Sequence, residues 1–260
     1  IIIDQVRING LDKTKDNVIR RELNQLDIKP GEFFDVSSLR KARQRLFQMG
    51  PFIRNVDFVP SDSVSTHRDL LVNIAETPRT GMFSLGGGYG TEGGIFGVAE
   101  IGENNLFGRA YRIHLKGELG ARDRHTAELR FGTPWIFGTP TRLDINLYNT
   151  QKYRRYYGER FRALGYDRYI YTQKGGSVTL GRPIFKDIDV SVRLKNERIN
   201  ATRAEQEIIN RSTRSMTFFL SRDTRDYRQA TGFYNPVSGS LNTASYEYSG
   251  GILGADNRFQ

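Results

Sequence analysis

The chain has 260 residues, enough for one large domain or two ordinary ones, and it contains no cysteine. Its mean hydropathy is −0.55, and it lacks any run of about 18 apolar residues, so helices that span a membrane are excluded. Spanning strands are not excluded, because their apolar residues alternate with polar ones. The net charge of +10 is scattered along the chain, which argues against nucleic-acid binding.

The first 77 residues mix helix and strand patterns. A short strand over residues 2–8 is followed by an amphipathic helix over residues 13–26, where apolar residues recur at helical spacing. A second helix begins at Asp35 or Ser37 as its cap and ends near Met49. Two strands follow: Ile53–Val59 and Asp69–Ala75. The order β-α-α-β-β predicts a small α+β domain over residues 1–78, with a three-stranded sheet under two helices.

From Gly81 onward the helical period disappears. Leu143, Ile145 and Leu147 alternate with polar residues, and similar alternation recurs in roughly nine segments of about ten residues each. A tilted strand of that length crosses a bilayer. Residues 81–260 are therefore predicted to form antiparallel transmembrane β-barrel strands.

The predicted connections alternate in length. Three are short and two are long and polar, on the opposite side: Asn104–Gly108, Pro134–Pro140 and Ile184–Asp187 against Tyr153–Tyr169 and Asn196–Ser212. Aromatic residues flank both sets of connections, as expected where rings lie at the two membrane interfaces. This pattern favours an outer-membrane barrel over a soluble β-sandwich, whose strands also alternate but whose loops need not be segregated by length.

Motifs that could carry chemistry have simpler explanations. Residues 88–93 match the spacing of a dinucleotide-binding loop, but a strand-like segment follows where that loop requires a helix. The charged run Arg222–Asp226 is interpreted as a solvated turn with ion pairs. The three histidines lack metal-ligand spacing, and no group of residues has catalytic spacing. We therefore expect no enzymatic activity, no metal site and no cofactor.

Two regions resemble known families. Residues 1–77 resemble a POTRA domain, through the strand at 6–10, Pro30-Gly31, the helix at 39–49 and the strand that closes on Glu76. The segment 83–93 (FSLGGGYGTEG) resembles the first strand and hairpin of the barrel in the BamA family of outer-membrane assembly proteins. Residues 103–108 (ENNLFG) are similar to that family's first periplasmic turn, and residues 221–239 to its segment between strands eight and nine.

The resemblance implies a function without bond chemistry. Members of the family fold outer-membrane β-barrel proteins and insert them into the membrane, by strand pairing at a lateral seam of the barrel. The implied partners are unfolded outer-membrane proteins, accessory lipoproteins of the assembly complex, and outer-membrane lipid including lipopolysaccharide. The implied location is the bacterial outer membrane, with the POTRA domain in the periplasm, where it receives chains by adding a strand to its sheet.

The resemblance also implies which residues carry the function. The edge that pairs with substrate strands comprises Phe83, Ser84, Leu85, Gly86, Gly87, Gly88, Tyr89 and Gly90. The edge strand of the POTRA domain comprises Ile53, Arg54, Asn55, Val56, Asp57, Phe58 and Val59. A turn motif comprises Arg222, Asp223, Arg225, Asp226, Pro236 and Gly239. Glycine gives a physical reason for a weak seam, because it loses the most entropy on pairing and adds no cross-strand contacts.

The family barrel has sixteen strands, whereas this chain supplies about nine. We therefore expect a segment of a longer protein, or a barrel that other chains complete. Other functions remain open at this point. A relative of the TamA or two-partner-secretion type would move proteins across or into the outer membrane. A passive porin-like channel would not need the POTRA-like region, and a soluble binding module would require a sandwich domain.

Overall fold

A computed structural model describes eight stretches of the chain: residues 1–61, 66–91, 93–121, 124–155, 168–185, 187–203, 206–225 and 238–254. The chain divides into two compact units. The first comprises Ile1–Gly81 and Glu103–Arg112, and the second comprises Met82–Gly102 and Ile113–Gln260. Within the described stretches, no helix has both the length and the apolar character needed to cross a membrane.

The first unit is a small α+β fold. Its elements are β1 (Ile2–Asn9), α1 (Asp16–Asn24), α2 (Val36–Gln48), β2 (Ile53–Pro60) and β3 (His67–Glu76). The sheet order is β1-β3-β2, with β1 parallel and β2 antiparallel to β3. Ile19, Leu46 and Val56 are fully buried in the apolar core that joins the helices to the sheet. The predicted three-stranded sheet with two helices is confirmed.

Helix α1 begins at Asp16, three residues later than predicted. The carboxylate of Glu76 accounts for the difference. It accepts hydrogen bonds from the backbone amides of Asp12 (3.2 Å), Lys13 (2.8 Å) and Thr14 (3.2 Å). These amides are held in a loop, so the helix starts only after them.

Helix α2 begins at a side-chain cap. The carboxylate of Asp35 accepts hydrogen bonds from the backbone amides of Ser37 (3.0 Å) and Ser38 (3.1 Å). The hydroxyls of both serines also donate to it, at 2.7 and 2.9 Å. These hydrogen bonds, those from Ser37 first, hold the pKa of Asp35 well below its usual range. Asp35, one of the two residues predicted as the cap, therefore performs that role.

The described residues of the second unit form nine antiparallel strands. They are β4 (Gly81–Gly90), β5 (Gly94–Leu106), β6 (Tyr111–Gly120), β7 (His125–Thr133), β8 (Arg142–Arg155), β9 (Arg168–Phe185), β10 (Ile188–Arg203), β11 (Gln206–Asp223) and β12 (Leu241–Ser249). Each strand pairs with its neighbour in sequence, so the order runs from β12 to β4, and the sheet is not closed. The prediction of about nine antiparallel strands is confirmed.

Strands β8 to β11 are longer than the ten residues predicted. They contain 14 to 18 residues each. The segment Asn196–Ser212, predicted to be a loop, is instead a paired hairpin in which Asn196 lies opposite Arg214 and Arg203 opposite Gln206. In β10 the face that carries Val192 and Leu194 continues with Asn196, Arg198 and Asn200, so the apolar alternation that identifies a half-buried strand stops there. The interior of the other predicted long loop, residues 156–167, lies outside the described residues.

The two faces of the large sheet differ in polarity and in the exposure of their side chains. Along one face, paired residues form an apolar row across β8 to β12: Leu143, Leu180, Val192, Phe218 and Tyr246. Along the other face the adjacent row is polar: Asp144, Thr179, Arg193, Thr217 and Glu247. Leu180 and Phe218 are each 45% exposed, whereas Thr179 and Thr217 are buried. A soluble sandwich buries its apolar face, whereas apolar side chains of this sheet are exposed, as is typical of the wall of a membrane-spanning barrel.

Replacing Asp35 with alanine tests the cap of α2. The variant removes two amide acceptors, so the free energy of local opening of α2 is expected to fall by about 1 kcal/mol, with a smaller loss for Asp35→Asn. Because folding lowers the pKa of Asp35, the charged cap's contribution persists above about pH 3.9 and is lost as the pH falls through the lowered value. Hydrogen exchange of the α2 amides measures both effects. Asp4→Ala, at an exposed position on β1, is the control, and equal exchange in both variants would contradict the prediction.

Candidate functional site

Strand β4 lies at the end of the large sheet. It pairs with β5 on one side, and none of the described strands pairs with its other side, which we call the free edge. Every residue from Gly81 to Tyr89 is exposed. Phe83 and Leu85, which are 72% and 75% exposed, alternate with Ser84 and Gly86. The predicted pairing segment, residues 83–90, is thus a free backbone edge with apolar side chains on one face.

The glycines of β4 do not all have the same role. A Cβ atom added to Gly88 would lie 3.0 Å from the ring of Phe96 in β5, so the absence of a side chain makes room for that ring. A Cβ atom added to Gly86 would meet nothing within 4 Å. Gly86 therefore contributes only flexibility, while Gly88 also leaves room for an aromatic ring of the neighbouring strand.

An ion pair holds the far end of the β4–β5 hairpin. Arg124, in the turn between β6 and β7, packs its guanidinium 3.9 Å from the ring centre of Phe96. The same guanidinium forms an ion pair with Glu118 of β6, whose side chain is only 8% exposed. It also lies 3.2 Å from the position a Cβ atom would take on Gly93. Arg124 thus links β5 to β6, a contact that could not be seen before the pairing of these strands was known.

A hydrogen-bonded group on the polar face joins β8, β9 and β10. The hydroxyl of Tyr148 donates to the carboxylate of Glu197, and the amide of Gln173 donates to the same oxygen at 2.5 Å. Gly175 lies between Tyr148 and Glu197 in the strand pairing, and a Cβ atom on it would meet the backbone of Glu197 at 2.8 Å. The buried carboxylate is therefore satisfied by neutral donors, as a structural network requires.

The small sheet has one free edge. The outer side of β1 is covered by the loop before α2, where Ile3 donates to the carbonyl of Glu32 (2.9 Å) and Gly31 donates to that of Ile3 (2.8 Å). The outer side of β2 has no strand beside it among the described residues. The segment Ile53–Val59, predicted to receive added strands, is the one whose edge is free.

The predicted turn motif closes the connection between β11 and β12. Asp223 accepts two hydrogen bonds from the guanidinium of Arg225, each at 2.8 Å. Gly239 has φ +88°, and a Cβ atom on it would lie 2.1 Å from the carbonyl oxygen of Thr224. Arg222 lies in β11 opposite Ile188 of β10, whereas Asp226 and Pro236 lie outside the described residues. The described part fits the interpretation as a turn with an ion pair.

The described residues contain no group of three or more histidines and carboxylates that could hold a metal ion. What the described residues offer is therefore backbone hydrogen bonding at sheet edges: β2 in the small sheet, and β4 and β12 at the two ends of the large sheet.

A model of the Omp85 superfamily domain matches residues 105–260, more than half of the chain. The chain belongs to the Omp85 superfamily. A POTRA model, described as a surface antigen variable number repeat, matches residues 1–77. The free edge of β4 is thus the edge of an Omp85-type sheet that follows a POTRA domain.

Relatives agree with this assignment. The outer membrane protein assembly factor BamA of Nitratidesulfovibrio vulgaris is 28% identical over 269 aligned positions, covering all of this chain and 31% of that protein. The crystal structure of Haemophilus ducreyi BamA lacking POTRA domains 1–3 matches with a TM-score of 0.60 at 21% identity, over 99% of this chain and 49% of that one. CdiB from Acinetobacter baumannii matches with a TM-score of 0.62 at 14% identity, over 99% and 46%. The chain is BamA-like and spans a third to a half of these proteins.

Replacing Arg124 with alanine tests the ion pair at the far end of the hairpin. The buried Glu118 would lose its charged partner, so the free energy of local opening of β4 and β5 is expected to fall by about 2 kcal/mol. Arg130→Ala is the matched control, because Arg130 forms an ion pair with Glu128 but is more than half exposed. Its effect is expected to stay below about 0.5 kcal/mol. Hydrogen exchange of the β4 amides measures the difference, and similar exchange in the two variants would contradict it.

Proposed function

We propose that this chain is part of an insertase that folds outer-membrane β-barrel proteins and inserts them into the outer membrane. An incoming strand would pair with the free edge of β4, over residues 83–90. The observation that carries the proposal is the position of β4 at the end of a sheet whose apolar face is exposed. The proposed function requires no bond chemistry and no cofactor.

The membrane environment supplies the driving force for this pairing. A strand that enters hydrocarbon with unpaired amide and carbonyl groups loses several kcal/mol for each of them. Pairing with β4 would satisfy one side of the incoming strand before it meets lipid. Glycine-rich β4 offers few side-chain contacts to any partner, so a strand already at the edge is easily exchanged for the next one.

The POTRA domain would bind chains on the periplasmic side of the outer membrane. The free edge of β2, over residues 53–59, suits strand addition, in which backbone hydrogen bonds give affinity with little demand on sequence. Unfolded outer-membrane proteins and accessory lipoproteins of an assembly complex are the partners proposed for it. Outer-membrane lipid, including lipopolysaccharide, would contact the exposed apolar face of the large sheet.

A second function has support from the polar face. Translocation of a protein through the barrel, as in TamA-like or two-partner-secretion-type relatives, would use a hydrated inner wall. The polar row includes charged residues, among them Arg193 and Glu247. Lys195 lies in the next row on the same face. The two functions differ in which surface touches the moving chain: the free edge of β4 for insertion, and the polar face for translocation.

Site-directed cross-linking separates these functions. Three single-cysteine variants of the complete protein would be reconstituted in liposomes: Leu85→Cys at the free edge, Leu147→Cys on the apolar face of a strand paired on both sides, and Lys195→Cys on the polar face. A substrate barrel with cysteines in its last strand would be arrested during folding. Insertion at the edge predicts disulfide formation with Leu85→Cys and very little with the other two.

Cross-linking to Lys195→Cys with none to Leu85→Cys would support translocation and reject insertion at this edge. Equal cross-linking to Leu85→Cys and Leu147→Cys would show non-specific collision at the apolar face. That result would also reject the proposal.

A further inference from the structure

The turn between β5 and β6 is built into the POTRA domain. Residues 103–112 belong to the same compact unit as residues 1–81. Ala110 has no exposed surface and is a member of the apolar core of that unit. Its backbone amide donates to the side chain of Asn105 at 2.8 Å. We call residues 103–112 the docked turn. It contributes one buried residue, Ala110, to a core that is otherwise formed by residues 1–81.

Two hydrogen bonds attach the docked turn to the loop before α1. The amide of Asn105 donates to the hydroxyl of Thr14 at 2.8 Å, and the backbone amide of Lys15 donates to the carbonyl of Gly108 at 2.9 Å. Asn105 is 4% exposed and Thr14 is 5% exposed. Both side chains are buried, so water cannot replace a lost hydrogen-bond partner. Removal of either polar group would therefore leave the other one unsatisfied.

Gly108 is required where the two backbones meet. Its φ is +67°, and a Cβ atom on it would lie 2.0 Å from the carbonyl oxygen of Lys13. The turn between β7 and β8 provides a natural comparison, since Gly138 has φ +70° and a Cβ atom there would meet nothing within 4 Å. Phe107 and Phe137, which precede these glycines, have φ values of 59° and 52°. The two turns share a backbone conformation, and only one of them is docked.

The docked turn also holds the base of the β4–β5 hairpin. The backbone amide and the side-chain amide of Asn104 both donate to the carbonyl of Thr80 at 3.2 Å. Thr80 immediately precedes β4, and Asn104 lies near the end of β5, close to the turn that leads to β6. The start of β4 is therefore joined to the end of β5, and the end of β5 is joined through Asn105 to Thr14.

We propose that Asn105, Gly108 and Thr14 are positioning residues that fix the base of the β4–β5 hairpin to the POTRA domain. They keep the start of β4 in one register, so the free edge presents the same residues to each incoming strand. This role rests on the proposed insertase function, because it is the templating edge whose position is fixed. Neither the hydrogen bonds nor the glycine contact would be needed for a turn that only connects two strands, as the turn at Gly138 demonstrates.

The test compares matched variants of the complete protein in liposomes. Gly108→Ala and Thr14→Val disrupt the docked turn, whereas Gly138→Ala and Thr14→Ser leave it intact, the serine by keeping the hydroxyl that accepts from Asn105. Two quantities are measured for each variant: hydrogen exchange at residues 81–84 and 105–110, and the folding rate of a small unfolded outer-membrane barrel. The first two variants are expected to exchange at least about fivefold faster at both segments and to slow substrate folding by a similar factor. The other two should match the wild type.

Faster exchange in Gly108→Ala and Thr14→Val with a wild-type folding rate would mean that the contacts serve stability alone, and it would overturn the proposal. Unchanged exchange at residues 81–84 would overturn it as well. If the wild-type protein gave no acceleration of substrate folding, the insertase function itself would fail. Attachment of the hairpin base would then be judged by exchange at residues 81–84 alone, with fast exchange in the two disrupting variants supporting it.

Discussion

Backbone amide and carbonyl groups need hydrogen-bond partners wherever a strand is in contact with hydrocarbon, and the large sheet is arranged around that requirement. Leu180, Phe218 and Tyr246 of its apolar row are exposed, while Thr179 and Thr217 of the polar row are buried. The interior strands satisfy their backbone on both sides. A strand at the end of such a sheet has one side left to satisfy. Among the described strands, β4 and β12 are the two with one side unpaired, and the free edge of β4 is the one proposed to accept another strand.

The contacts around β4 divide it into held ends and a loosely held middle. At its far end, Arg124 packs on Phe96 and pairs with Glu118. At its base, Asn104 binds the carbonyl of Thr80, and Asn105 binds Thr14. Between these points, Gly86 has no neighbour within reach of an added Cβ atom. An edge that is fixed at both ends but weakly packed between them can exchange partners without losing its register.

The sequence predicted those features that depend on local pattern. The helices, the β-α-α-β-β order of the elements in the small domain and the alternating strands follow from the spacing of apolar residues, and the glycine-rich edge is visible at residues 83–90. Features that depend on pairing could not be predicted. The extension of β10 and β11 through Asn196–Ser212 lacks the apolar alternation of the rest of these strands. The start of α1 is set by Glu76, a residue distant in the chain. The contact of Asn105 with Thr14 joins two residues 91 apart.

The most direct test of the account is the rate at which liposomes carrying the complete protein fold a small unfolded outer-membrane barrel. The protein would carry one cysteine within residues 83–90 and another in the strand that closes the complete barrel. If incoming strands pair with the free edge of β4, folding is accelerated while the cysteines are reduced, and the acceleration is lost when they form a disulfide. Equal acceleration in the reduced and oxidised states would contradict the account, because a closed edge could not then be the site of pairing.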